Sequence, residues 1–493
     1  MFTIHDPVHG LIHFDDKISK NIKQIIESPL FRRLRNIRQL GLAEFVFPSA
    51  THSRFAHCIG TAYVTSRILN QLKITFENNK ALNNNSETSI YDKYIKDFDK
   101  LFELSILSSL IHDIGHGPFS HLFEKCLKNE KSSEVVNHED WTKNFVNELT
   151  EQNVINPGVN TENIINIITG NKENTVLPNF IFDITSSHLD ADRMDYLLRD
   201  SYFCGVSYGK YDLDWFISNI SIAFTNYDEK KEHHLGIKYK AIGIAEHYLS
   251  ARRQMTRNIY FHKKIKAAEF ILQNFIGLLI DHIDEIDKLL LNGLGNFSDC
   301  TDIGKFLKLS NKFKNGSINK NDFISESYKF YKKLCDYDIL YICRVIYDNK
   351  NKFSGKIKDL YELSERLIER KIPYALIVPK EEIDNARNCI NKFKKTHKGC
   401  INDWDLFLDT NNTSIYKTDK KGKLFLIEDN QKAYPIEEDS RLLDMLNNSI
   451  ESSSFVYIDK DFVENNACNI KDFFTKELFK FVVTSEHIKT KFK

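Results

Sequence analysis

An apolar helix that ends in a histidine–aspartate pair is the feature that most constrains this fold. Residues 104–111 are apolar or small on every side, which predicts a helix buried inside a core. His112 and Asp113 follow directly, and Gly115 and Gly117 then permit a sharp turn. Neighbouring side chains on a regular helix point about a hundred degrees apart, so such a pair can reach one partner only where the helix ends. The sequence therefore predicts a buried helix that delivers two polar groups to an interior site.

His57 and Asp192 are the candidates that complete this site. They add one imidazole and one carboxylate to His112 and Asp113. Two imidazoles and two carboxylates suit a borderline-hard divalent ion that keeps open positions for water or phosphate. We therefore expect one divalent ion on these four residues, and Mn, Fe, Mg, Zn, Co and Ni all accept such mixed ligands.

The pattern of apolar residues along the chain changes near residue 290. Before it, apolar or small residues recur at steps of three and four, as at Phe55, Ile59, Ala62, Ser66 and Leu69, which indicates helices. After it, short β-prone runs at 374–378, 406–408, 424–427 and 455–458 surround a predicted helix at 439–447. Polar interruptions predict surface loops at 79–87, 128–139, 171–174 and 228–234. We predict a mainly α fold, with a helical core over 1–290 and a smaller α+β lobe over 291–493.

Composition limits the partners and the compartment. Lys+Arg and Asp+Glu both number 68, so no overall field recruits nucleic acid or an anionic membrane, and the basic segment 392–398 is interpreted as a solvated loop. The nine cysteines are dispersed without a CxxC pair, which indicates reduced thiols in a cytoplasm. The N-terminus lacks a basic region before an apolar stretch, and the apolar run 270–283 is too short and polar to cross a bilayer. We expect a cytoplasmic protein without a signal peptide, with neither membrane nor nucleic acid as its main partner.

Five strings occur in an order that resembles a known enzyme family. They are DPVHG at 6–10, RLRNIRQLG at 33–41, HSRFAH at 52–57, HDIGHGPFSH at 112–121 and DRMDYLLRD at 192–200. Together they resemble the HD-domain deoxynucleoside triphosphate (dNTP) triphosphohydrolases, which include the SAM-and-HD-domain enzymes and bacterial dGTPase-like proteins. The resemblance spans roughly 4–264 and continues more loosely beyond it. We expect the chain to lack the SAM domain.

The resemblance implies a role for each matching residue. The metal ligands would be His57, His112, Asp113 and Asp192. Catalytic roles are implied for His116, His121, His138 and Asp113, with the histidines exchanging protons or binding phosphate. The triphosphate, together with a second Mg²⁺, would be bound near Arg54, Arg193, Arg252 and Lys263. The deoxyribose would contact Gln39 and Asp200 at its 3′-hydroxyl and Leu40 and Tyr260 at C2′, with Tyr196 as a further contact.

The resemblance also implies a nucleotide effector site and self-association. Glu27 and Arg35 match effector-site residues, while Arg32 stands in the place of a family glutamine. Arg370 matches a phosphate contact, and Tyr374 stands where the family has lysine. These departures weaken two expectations, that a nucleotide activates the protein and that the effector site prefers guanine. A homo-oligomer, tetrameric or larger, is expected because bacterial relatives commonly form one. The resemblance thus implies that 1–290 is the HD-domain catalytic core and that the lobe over 291–493 serves oligomerisation or regulation.

Three functions remain open at this point. The first is a metal-dependent hydrolase that cleaves dNTP to deoxynucleoside and inorganic triphosphate, with depletion of dNTPs in antiphage defence as a further hypothesis from the resemblance. The second is an HD phosphodiesterase of a cyclic or alarmone nucleotide, for which the same four ligands would suffice. The third is a nucleotide-sensing or nucleic-acid-binding module with a vestigial metal site.

Overall fold

A computed structural model describes residues 2–82, 88–173, 175–227, 230–289, 297–416, 423–428, 432–447, 449–484, 489–490 and 492. The helices are α1 Asp16–Glu27, α2 Pro29–Arg32, α3 Arg54–Leu82, α4 Thr88–Ile111, α5 His121–Cys126, α6 His138–Glu151, α7 Thr161–Thr169, α8 Asn179–Thr185, α9 Ala191–Cys204, α10 Leu213–Ser218, α11 Ile242–Met255, α12 Lys263–Asp281, α13 Ile283–Leu289, α14 Phe297–Cys300, α15 Asp302–Lys314, α16 Lys320–Tyr331, α17 Asp336–Asp348, α18 Lys358–Ile368, α19 Ile383–Thr396, α20 Arg441–Leu446, α21 Lys460–Glu464 and α22 Ile470–Lys476. The strands are β1 Thr3–Asp6, β2 Gly10–His13, β3 Ile220–Tyr227, β4 Lys230–Lys238, β5 Tyr374–Ile377, β6 Leu406–Ser414, β7 Phe425–Ile427, β8 Ala433–Pro435 and β9 Ile450–Ile458. The mainly α prediction with a smaller α+β part is confirmed.

Helix α4 is buried against α3, as its apolar sequence predicts. Leu107, Leu110 and Ile111 are fully buried, and α3 packs against both α4 and α9. The buried Ser109 accepts a hydrogen bond from Thr65 Oγ1 of α3, so its polar group is satisfied inside the core. The core therefore fixes the C-terminal end of α4, where His112 and Asp113 follow.

The local sequence explains where the site helices begin. Asp190 caps α9 by accepting a hydrogen bond from the backbone of Arg193, and this places Asp192 in the first turn. Asn137 and Asp140 form a capping box that starts α6 at His138. Helix α11 runs into a single π-helical turn, Thr256–Tyr260, a feature that often occurs at functional sites.

Three small sheets accompany the helices in the described residues. Strands β1 and β2 form an antiparallel hairpin, β3-β4-β7-β8 form a mixed sheet, and β5-β9-β6 form an antiparallel one. The four β-prone runs predicted after residue 370 are all strands, although they belong to two different sheets. The sheet containing β4 and β7 takes strands from both sides of residue 290, and the proposed division there stays a prediction.

The loop predicted at 228–234 is wrong over 230–234, because β4 begins at Lys230. The first half of that strand is charged, which hides its strand character in the sequence. Its second half is apolar: Leu235 pairs with Ile222 and Ile237 with Ile220, and all four are buried. The strand therefore forms because β3 offers an apolar face, a tertiary effect that overrides local propensity. No helix in the described part of the chain is both long enough and apolar enough to span a bilayer.

Candidate active site

The four predicted metal ligands converge from three helices. His57 lies in the first turn of α3, His112 and Asp113 follow α4, and Asp192 lies in the first turn of α9. The Oδ1 atom of Asp192 is 2.9 Å from His57 Nε2 and 3.5 Å from His112 Nε2. The Asp113 carboxylate is 3.3 Å from His112 Nε2 and 3.9 Å from His57 Nε2. Ligands bound about 2.0–2.2 Å from one ion lie roughly 3–3.5 Å apart, so His57, His112 and Asp192 have the dimensions of a metal site. Asp113 lies beside them but directs a different oxygen at each histidine.

The histidine nitrogens of this group fit a metal ion. His112 Nδ1 donates to the carbonyl of Ser109, and this leaves the lone pair of Nε2 directed at the carboxylates. His112 Nε2 is buried and makes no hydrogen bond among the described residues. A buried nitrogen without a partner beside two carboxylates suits a cation.

Asp195 orients His57 from the side away from this group. Its Oδ2 accepts a hydrogen bond from His57 Nδ1 at 2.7 Å, and both groups are fully buried. Burial alone would lower the pKa of His57, but its hydrogen bonds to Asp192 and Asp195 raise the pKa to about 10. Without a metal, Asp192 and Asp195 therefore favour a protonated His57. An ion bound by His57 would replace that proton, so that metal binding would release it.

Arg54 is paired with Asp113. Its Nη1 contacts Asp113 Oδ2, and its Nε donates to Ser120 Oγ at 2.7 Å. Burial would raise the pKa of Asp113, but the positive charge of Arg54 holds it well below its usual range. In this structure Arg54, a predicted phosphate ligand, therefore keeps the carboxylate of Asp113, a predicted metal ligand, ionised.

The three predicted catalytic histidines surround Glu124, which the sequence interpretation passed over. His138 Nδ1 lies 3.0 Å from Glu124 Oε1, His121 Nδ1 lies 3.1 Å from Oε2, and His116 Nδ1 lies 3.5 Å from Oε1. The rings of His116 and His138 stack at 4.0 Å. A Cβ atom at Gly115 would overlap the carbonyl of His138, so only glycine lets α6 approach this closely. The histidine cluster is defined as His116, His121, His138 and Glu124.

The members of the histidine cluster differ in their surroundings. Burial, together with the charges of Arg54 and His138, lowers the pKa of His116 to about 3. Burial would raise the pKa of Glu124, but hydrogen bonds from the three histidines hold it well below its usual range. The His121 side chain is 65% exposed, against 2% for His116. His116 therefore stays neutral near pH 7, whereas His121 is open to a substrate.

Asp200 is the centre of the predicted sugar-binding residues. It accepts hydrogen bonds from His52 Nε2 and from the Tyr260 hydroxyl, both at 2.8 Å. The ring of Tyr196 lies 6.1 Å from that of Tyr260 and 6.4 Å from that of His57, so it connects this group to the metal ligands. The backbone of Gln39 donates to the carbonyl of His52, and its side-chain oxygen is buried without a hydrogen bond among the described residues. The half-buried Leu40 packs on the core nearby.

Two of the three other predicted phosphate contacts, Arg193 and Arg252, already contact protein groups. Arg193 contacts Asp190 and the carbonyl of Ser187 within the loop that starts α9. Arg252 contacts the carbonyl of Ile415. Lys263 is the first residue of α12 and is half-buried. Their binding of phosphate stays a prediction.

The predicted effector residues are exposed. Glu27 ends α1, 3.9 Å from Lys23, and Arg32 ends α2. The guanidinium of Arg35 lies 3.7 Å above the ring centre of Phe55. Arg370 lies above the ring of Phe45 and contacts its carbonyl. A shared nucleotide site on these residues stays a prediction.

Asp336 is a further supporting residue that the sequence interpretation missed. It accepts backbone hydrogen bonds from Phe119 at 2.7 Å and from Arg38 at 2.9 Å. Phe119 and Ser120 both have a φ of 54°, a conformation that costs energy for residues other than glycine. Burial raises the pKa of Asp336 to about 6. This carboxyl therefore holds the strained loop that carries His116 and the loop before Gln39.

Glu124 and Asp195 had a sequence signal, and Asp336 had none. Glu124 follows His121 by three residues and Asp195 follows Asp192 by three, a spacing that places side chains on one helix face. Asp336 lies more than 200 residues beyond the loop it holds, so only the fold reveals its role.

The comparisons with known proteins agree with this geometry. A family model described as HD domain matches residues 54–200, which contain all four candidate ligands and the histidine cluster. The chain therefore contains an HD domain, and the predicted resemblance to HD-domain dNTP triphosphohydrolases is confirmed.

Three relatives illustrate how far the similarity extends. The uncharacterised protein YwfO of Bacillus subtilis is 32% identical over 55% of this chain and 54% of its own length. The deoxynucleoside triphosphate triphosphohydrolase SAMHD1 homolog of Dictyostelium discoideum is 30% identical over 41% of this chain and 37% of its own length. A phosphohydrolase structure from Bacteroides thetaiotaomicron has a TM-score of 0.66 and 24% identity, over 92% of this chain and 99% of that one, and so supports the fold. This chain spans about half the length of the first curated relatives it matches.

Proposed function

We propose that the chain, with its HD domain at residues 54–200, is a metal-dependent hydrolase that cleaves dNTP to deoxynucleoside and inorganic triphosphate. One observation carries the proposal: the candidate metal ligands lie between the histidine cluster and the Asp200–Tyr260 pair. His116 Nε2 is 3.3 Å from Asp113 on one side, and Tyr196 connects His57 to Tyr260 on the other. An α-phosphate at the ion would therefore have proton-carrying groups on one side and the sugar residues on the other.

His57, His112, Asp113 and Asp192 would hold the ion. When bound, the ion supplies charge stabilisation at the α-phosphate and lowers the pKa of a water ligand. Attack of water on the α-phosphorus forms one P–O bond and breaks the bond to the 5′ oxygen, so inorganic triphosphate departs from the deoxynucleoside. The 5′ oxygen needs a proton as it leaves.

Among the three histidines, His121 is best placed to give that proton. It is exposed, and its Nδ1 lies 3.1 Å from Glu124 Oε2. The neutral His116 instead suits acceptance of a hydrogen bond from water or substrate. The paired oxygens of Asp200 and the ring of Tyr260 would receive the 3′-hydroxyl and pack against C2′, which would exclude a 2′-hydroxyl.

The test is product analysis with each dNTP, Mn²⁺ or Mg²⁺, and water labelled with ¹⁸O. We expect equal amounts of deoxynucleoside and triphosphate, with the label in the triphosphate. Asp113→Ala should abolish both products, and the surface substitution Asp384→Ala should change neither. A nucleoside monophosphate with diphosphate, or label in the nucleoside, would reject the proposed bond cleavage.

Self-association, a nucleotide effector and a role in antiphage defence are proposals that rest on the resemblance. Sedimentation with and without added nucleotides tests the first two. Unchanged dNTP pools in cells that express the protein would reject dNTP depletion as its role.

A further inference from the structure

The N-terminal turn at residues 6–9 has no role in the proposed reaction, although its sequence was one of the strings that defined the resemblance. It joins β1 to β2 and is closed by the Asp6 carboxylate, which accepts backbone hydrogen bonds from Val8 at 2.9 Å and His9 at 3.0 Å. The His9 side chain is only 2% exposed. The turn thus directs a histidine into the interior of the protein.

His9 contacts the carboxylate that orients a candidate metal ligand. His9 Nε2 lies 2.6 Å from Asp195 Oδ1, and His57 Nδ1 lies 2.7 Å from Asp195 Oδ2. Arg199 donates to both oxygens at 2.8 and 2.9 Å, and its third nitrogen donates to Asp6 at 2.8 Å. Each oxygen of Asp195 therefore has one histidine and one guanidinium nitrogen as partners.

This arrangement fixes the orientation of His57. A metal-bound histidine usually donates its second N–H to a carboxylate, which sets both the tautomer and the ring direction. The carboxylate can do this only if it is itself held, and here Arg199 and His9 hold it. If His9 is removed, Arg199 still contacts both oxygens of Asp195, but Oδ1 loses one of its two partners in a buried site and the carboxylate is held less firmly.

We propose that His9 is a positioning residue of the metal centre, acting through Asp195 to hold His57 in its ligating orientation. The N-terminal turn is then part of the metal site, although it contributes no ligand. The inference rests on the proposed metal centre and is independent of which substrate is hydrolysed.

The experiment measures metal affinity in the full chain without nucleotide. Mn²⁺ and Zn²⁺ dissociation constants are measured by competition with a chelator for the natural protein, His9→Leu and His9→Gln. Gln keeps an N–H near the position of the histidine Nε2, whereas Leu has none. We expect His9→Leu to bind each ion about 10-fold more weakly, as observed for groups that support a metal-bound histidine, and His9→Gln to recover most of the loss.

His13→Leu is the matched control. His13 lies on the same hairpin, with its ring exposed and 3.1 Å from Thr3 Oγ1, so its loss should leave affinity unchanged. Thermal midpoints of the metal-free proteins identify any variant that fails to fold. If His9→Leu is such a variant, His9→Asn takes its place, because Asn is too short to reach Asp195 and carries the same prediction.

Equal affinity in His9→Leu and the natural protein would overturn the proposal, and so would an equal loss in His13→Leu. If metal affinity depends on His9 but no dNTP is hydrolysed, the proposed reaction is rejected and the role of His9 is not. Normal dNTP hydrolysis with metal binding insensitive to residue 9 would reject this inference alone.

Discussion

Replacement of Gly60 by alanine would place a methyl group where the buried Asp195–Arg199 pair lies. Gly60 is in α3, one turn after His57, and a Cβ atom there would overlap Asp195 Oδ1 and Arg199 Nη2. Neither group can withdraw easily, because both are fully buried and bonded to each other. The substitution therefore strains the fold and displaces the carboxylate that orients His57.

The expected change in the free energy of unfolding combines one stabilising contribution with two destabilising ones. Alanine in a helix is favoured over glycine by about 1 kcal/mol. Overpacking of a core costs about 1–3 kcal/mol, and disruption of a buried ion pair costs up to about 3–5 kcal/mol when one partner is lost. Because the pair is displaced and not deleted, we expect a net loss of about 2–4 kcal/mol in the free energy of unfolding.

Urea denaturation of the metal-free protein measures this loss, with Gly277→Ala as the matched control. Gly277 lies in the middle of α12, where a Cβ atom would have nothing within 4 Å. Gly277→Ala should therefore gain up to about 1 kcal/mol. If the two variants shift the midpoint in the same direction, the account of the contact between α3 and α9 is wrong.

Three further predictions address the other parts of the site. The pKa of Asp336 is raised to about 6 from a usual 3.8, so the folded protein holds this proton more tightly than the unfolded chain does. The stability that the bound proton contributes is therefore complete below about pH 4 and is lost as the pH rises through about 6. The free energy of unfolding of Asp336→Asn, relative to that of the natural protein, should therefore rise by up to about 3 kcal/mol from about pH 4 to pH 7 in denaturant titrations. A difference that does not change with pH would contradict the burial argument. Glu124→Gln should lower kcat by at least about 10-fold with little change in KM, because the three histidines of the cluster lose a charged partner. The control Glu285→Gln, beside His282 on the surface, should leave kcat unchanged. Metal at about 100 times its dissociation constant should raise the free energy of unfolding of the natural protein by about 2.7 kcal/mol and leave that of Asp192→Asn nearly unchanged. An equal rise in both proteins would mean that the ion binds elsewhere.

The convergence of the candidate metal ligands could be predicted from the sequence because its determinants are local. The apolar run before His112 and the cap at Asp190 each position a candidate ligand from its own neighbours in the chain. The π-helical turn before Tyr260 and the charged half of β4 could not be predicted, because packing against distant elements decides them. Asp195 shows the limit of this reasoning: its spacing from Asp192 was visible, but its partner His9 lies 186 residues away.

The contacts made by α16 and α17 bear on how this protein can be recombined with its relatives. The Tyr331 hydroxyl donates to the carbonyl of Gly115, and the Asp336 carboxylate accepts a hydrogen bond from the backbone of Phe119. Residues far beyond the HD domain therefore shape the loop that carries the candidate catalytic histidines. A chimera that exchanged only residues 54–200 would combine one protein's loop with another protein's support. The segment that must be exchanged as one piece is therefore longer than the HD domain and extends at least to Asp336.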